Sequence, residues 1–82
     1  MKILISLSSQ FALNDRVAWL NDDGTYNIGT VTHYKDNNRL SVEFDSGFKL
    51  PSIAGSQLVK LPNNTKKNKK DISKEQLAAL LK

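Results

Sequence analysis

The chain is a series of short β-type runs, each cut off by turn residues, and that close spacing leaves few folds open to it. Runs at residues 16–20, 26–34, 39–44, 48–52 and 58–61 alternate with Asn21-Asp22-Asp23-Gly24, Asp36-Asn37-Asn38 and Asp45-Ser46-Gly47. Asn and Asp tolerate left-handed backbone and Gly adopts it freely, so these interruptions are turns for a physical reason. Short strands at such spacing are the signature of a small barrel or sandwich. The expected fold class is all-β, a small five-stranded barrel.

The runs carry their own detail. Residues 16–20 place Val17 in the core, with Trp19 or Leu20 beside it. Ile28, Thr30, Val31 and Thr32 are β-branched, as a pleated surface prefers. Gly29 among them is costly unless a bulge, a bend or a close backbone contact demands it. Leu40, Val42 and Phe44 alternate with Ser41 and Glu43, which gives one apolar and one polar face. Pro51 puts its strand at an edge or near its own end. Ala54-Gly55-Ser56 reads as one helical turn before the last strand, which Pro62 stops. Val17, Val31, Leu40, Val42, Phe44 and Leu58 are expected to converge inside one sheet.

Four segments follow. Residues 1–10 read as an N-terminal strand or arm, residues 11–62 as the barrel, residues 63–71 as a basic flexible linker, and residues 72–82 as a short amphipathic helix. The linker is all polar up to Lys70, so burial cannot offset its ordering entropy. The helix start is explicit: Ser73 and Gln76 form a capping box, and Ile72 and Leu77 the accompanying hydrophobic staple. Leu77, Leu80 and Leu81 share one face. Ten residues are marginal as a free helix, so this one must dock, on its own barrel, on a partner or on a second copy.

Charge is unevenly placed. Over residues 11–62 five cations stand against six anions, a net −1, whereas residues 63–82 carry six lysines against Asp71 and Glu75, a net +4. An inference from the basic balance to nucleic acid must therefore run through the tail. Lys66, Lys67, Lys69 and Lys70, with Lys60 and Lys74, are the candidate phosphate-binding residues. Lysines on such a chain neutralise phosphates without reading sequence. The competing reading is a solvated linker.

The order of signals resembles a Tudor domain of the SH3-like superfamily. The similar features are Asp15-Arg16-Val17-Ala18, the Asp23-Gly24 turn, Ile28-Gly29-Thr30-Val31, Val42-Glu43-Phe44-Asp45-Ser46-Gly47-Phe48 and Gly55-Ser56-Gln57-Leu58. In Tudor domains that read methylated lysine or arginine, aromatic rings and an acidic residue cage the cation. The resemblance implies two cage positions at Phe44 and Phe48. It puts the cage tryptophan at Leu20, with Trp19 one residue off, and the cage tyrosine at Asn27, with Tyr26 one residue off. The acidic position falls on Ser46. One residue of offset flips a strand side chain to the other face, so Trp19 and Tyr26 complete a cage only if bulges shift both. Trp19, Tyr26, Phe44 and Phe48 are the candidate aromatic mouth, able to stack on a base or receive a peptide side chain.

No enzyme is expected. His33 is the single histidine and the chain has no cysteine, so neither a catalytic triad nor a zinc site has its convergent groups. No metal or cofactor is expected. The longest apolar run, residues 3–7, is far short of the ~20 residues that span a membrane, and a cytoplasmic protein is the expectation. The expected function is a binding module for nucleic acid or a nucleoprotein complex. The alternative is a protein-interaction adaptor, through the face of Leu77, Leu80 and Leu81 or through a groove of the barrel, or self-association through that helix face, with methyl-mark reading behind both.

Overall fold

The computed structural model describes residues 11–35 and 39–81, and over them every predicted β-run becomes a strand. The strands are β1 (Arg16–Leu20), β2 (Tyr26–Lys35), β3 (Arg39–Phe44), β4 (Lys49–Ala54) and β5 (Leu58–Leu61), with a single 3-10 turn at Gly55–Gln57 before β5. One short helix, α1 (Lys74–Leu80), follows. The expected N-terminal arm (residues 1–10), the Asp36-Asn37-Asn38 turn and Lys82 lie outside the described residues.

The strands form one antiparallel sheet in the order β4-β3-β2-β1-β5. Among the described residues no ladder joins β4 to β5, so the sheet has two ends. Pro51 lies in β4 at one of them, where a missing N–H breaks no ladder. Register shifts between Val31 and His33 and between Leu40 and Val42 interrupt the pairing of β3 with its neighbours. Such irregularities bend and twist a strand locally.

One face of the sheet carries the main core. Val17, Val31, Leu40, Val42, Phe44 and Leu58 converge there as the sequence predicts, joined by Phe11 and Ile53, with Trp19 and Leu50 packed against them. Gly29 lies opposite Phe44 across β2 and β3. A Cβ on Gly29 would stand 2.8 Å from the Glu43 carbonyl oxygen and 2.9 Å from both Phe44 and Val42 side chains. The glycine is thus required by close approach, and its missing side chain makes room for Phe44.

A second core lies on the opposite face. Ala18, Ile28, Leu61, Ile72 and Leu77 are buried together, with Tyr26, Val59 and Leu80 packed beside them. The α1 helix supplies this cover. Ser73 caps it as predicted: its Oγ accepts from the Gln76 N–H (3.2 Å) and its own N–H donates to Gln76 Oε1 (2.9 Å). Ile72 and Leu77, the predicted staple, are 2% and 5% exposed. Ile72 also exchanges both backbone hydrogen bonds with Tyr26 (2.8 and 2.9 Å) and so pins the helix start to the start of β2. Of the three ways the helix can dock, this is docking on its own sheet. Strand β1 is therefore buried on both faces, with Val17 and Ala18 each wholly inaccessible.

Candidate functional site

The side chain that organises the C-terminal half is Arg16. It follows Asp15 at the start of β1 and points to the same face as Ala18, opposite Val17, and it pairs with Thr30 across to β2. Its guanidinium has five N–H donors, and each finds an acceptor. Nε donates to the Thr65 carbonyl (3.1 Å). Nη1 donates to Thr30 Oγ1 (2.7 Å) and Asp45 Oδ1 (2.8 Å). Nη2 donates to Asp45 Oδ2 (2.5 Å) and the Lys66 carbonyl (3.2 Å). The Arg16 and Asp45 side chains are 6% and 3% exposed. A two-pronged, buried guanidinium–carboxylate pair is the strong form of a charged hydrogen bond.

Asp45 opens the turn after β3, which Gly47 closes with a positive φ of 104°. Besides Arg16, Asp45 Oδ2 accepts the Asn68 backbone N–H at 2.8 Å. Burial works to raise the Asp45 pKa, but the Arg16 and Asn68 hydrogen bonds and the charges of Arg16 and Lys67 outweigh it and hold the carboxyl below its ordinary value. The segment read as a basic linker has no regular element, yet it is tied to the sheet at Thr65, Lys66 and Asn68. We call residues 62–71 the strap.

The predicted phosphate-binding lysines fall into two groups. Lys66, Lys67, Lys69 and Lys70 on the strap and Lys74 at the start of α1 are exposed, and no carboxylate among the described residues lies within 4 Å of their ammonium groups. Lys60 on β5 is half exposed and sits 3.6 Å from Asp15 Oδ2, so its charge is partly matched. Lys66 and Lys67 come together along one groove between the strap and α1.

The predicted aromatic mouth is brought together in part. Trp19, Phe44 and Phe48 form a stacked row, with ring centroids 5.7 Å apart for Trp19–Phe44 and 5.9 Å for Phe44–Phe48. Trp19 joins without any bulge in β1, because it shares the face of Val17. Phe44 is buried at the centre of the row, and Phe48 is half exposed at its end. Tyr26 packs instead with the helix-side core, and meets Trp19 only across a shallow groove with Leu20, Gln57 and Leu58. Of the leucine face, Leu77 is buried and Leu80 half buried on the chain's own sheet, and Leu81 remains exposed.

His33 is exposed and lies 3.2 Å from Thr32 Oγ1. Among the described residues no group of three or more His, Asp or Glu side chains could hold a metal ion, and no helix is long and apolar enough to cross a membrane. The sequence reading missed the Arg16–Asp45 pair. Its one signal is an arginine placed between residues of a buried strand, since such a group requires a partner somewhere. Comparisons with family models, with curated proteins and with solved structures find no match.

Proposed function

We propose that this chain is a non-catalytic Tudor-like module that associates with nucleic acid or a nucleoprotein complex. The observation that carries the reading is the strap: a run of lysines with no carboxylate within 4 Å among the described residues, on a segment whose backbone Arg16 and Asp45 tie to the sheet at Thr65, Lys66 and Asn68. Fixing the backbone beneath a basic run lowers the ordering cost of binding phosphates with it. The strand order β4-β3-β2-β1-β5, with a 3-10 turn before β5, supports a barrel of the SH3-like kind. The exposed end of the Trp19–Phe44–Phe48 row offers a flat face to a base or to a partner's side chain.

The alternative adaptor role, through Leu77, Leu80 and Leu81, competes with the burial of Leu77 and Leu80 on this chain's own sheet. Methyl-mark reading requires rings around an open space, whereas Trp19, Phe44 and Phe48 stack on one another.

Titration with duplex DNA and with single-stranded RNA across a salt series tests the reading. Affinity is expected to fall as salt rises. Replacing Lys66, Lys67, Lys69 and Lys70 by alanine is expected to flatten the slope of log K against log salt by about 3–4 for duplex. No binding at low salt, or binding indifferent to salt, would remove nucleic acid from the account.

A further inference from the structure

Between the strap and α1 runs a groove of about 390 Å³. Leu80 and Pro62 contribute apolar surface to it, the buried Ile28 adjoins it, Ala79 borders it from the helix, and Asn64, Lys66 and Lys67 border it from the strap. Among the described residues no carboxylate lines it, and the carboxylate that holds the strap, Asp45, is matched by Arg16. Its strap side is held in place, since Arg16 holds the carbonyls of Thr65 and Lys66 and Asp45 holds the N–H of Asn68. The Asn64 side chain is exposed and makes no hydrogen bond to another described residue, so its amide can both donate and accept.

Apolar surface, a free amide at the rim and two ammonium groups beside them match a flat, hydrogen-bonding body that carries phosphate on either side. We propose that this groove takes one unpaired base of a single-stranded nucleic acid, with Lys66 and Lys67 on the adjacent phosphates. The proposal rests on the nucleic-acid reading above and adds to it the strand class and the place. A duplex keeps its bases paired and stacked, and it meets only the lysines. RNA and DNA offer the same base and phosphate chemistry here.

The test uses the full chain and three probes at low salt: short oligothymidine, short oligouridine and a short DNA duplex. The variants are Ala79→Leu, which narrows the groove from an exposed helix position, and Lys66→Ala/Lys67→Ala. On the unaltered chain, the methyl resonances of Ile28 and Leu80 are expected to shift with both single strands and to stay in place with the duplex. Ala79→Leu, which occupies the groove without offering an aromatic face to a base, is expected to weaken both single strands several-fold and to leave the duplex unchanged. The double lysine variant weakens all three probes. If those methyls stay in place while the lysine resonances move, or if Ala79→Leu weakens duplex and single strand alike, the groove is overturned and the nucleic-acid reading stands. Shifts of Ile28 and Leu80 with a glutamate-rich peptide carrying one phenylalanine, the oligonucleotides being silent, would assign the groove to a protein partner and overturn the proposal. Silence with every nucleic acid removes both.

Discussion

Two residues carry more of this structure than their types suggest. Arg16 is a charge buried between β1 and the strap, tolerable because all five of its donors are matched. Arg16→Ala leaves the Asp45 carboxylate buried without its cation, and is expected to cost about 3–5 kcal/mol in a urea unfolding curve. The same pair sets a pH dependence. The Asp45 carboxyl is held below its ordinary value in the folded chain, so it favours the fold above the usual carboxylate range near ~4. That contribution is lost as pH falls through the lower folded value. The thermal midpoint of Asp45→Asn is therefore expected to start lower at neutral pH and to decline less steeply into acid. Gly29 is the second residue. Gly29→Ala drives a methyl against the Glu43 carbonyl and the Phe44 ring, and is expected to cost about 1–3 kcal/mol by the same unfolding measurement, as overpacking does.

Among the elements, α1 is too short to hold its shape alone. It has 7 residues, where isolated helices need ~12–15. Its capping box satisfies the first turn, and Leu77 and Ile72 bury its apolar side on Ala18, Ile28 and Leu61. Leu77→Ala is expected to destabilise the chain by about 2–5 kcal/mol, as other large-to-small core changes do, and Ser73→Ala by about 1 kcal/mol, both read from denaturant midpoints. The unequal costs distinguish a helix that is part of the core from one that merely hangs from the sheet. In the second case both variants would leave the midpoint of the sheet in place. The cap and the staple were legible because both are short-range patterns. The surface they dock on was not, because Ala18, Ile28 and Leu61 read as ordinary strand residues until their face is known.

At the scale of the whole molecule, the strap makes sheet and helix one unit. Arg16, Asp45 and the Tyr26–Ile72 bridge tie residues 65–72 to three strands or their turns. Thermal unfolding followed by Trp19 fluorescence and by helical circular dichroism is thus expected to give coincident transitions, and Arg16→Ala to separate them, with the helix lost first. What the sequence determined alone were the features set by near neighbours: the five strands and most of their bounds, the alternation that put Leu40, Val42 and Phe44 on one face, the edge position of Pro51, and the capped helix. Each follows from propensity, turn chemistry or periodicity within about ten residues. Tertiary structure decided the rest. It paired Arg16 with Asp45 across 29 residues and with Thr65 and Lys66 across 49 and 50. It split the aromatic candidates by sending Tyr26 to the helix side, and it held a polar segment in place that composition alone reads as free. These outcomes depend on which face each strand presents and what then crosses it, and no local pattern in the chain encodes that choice.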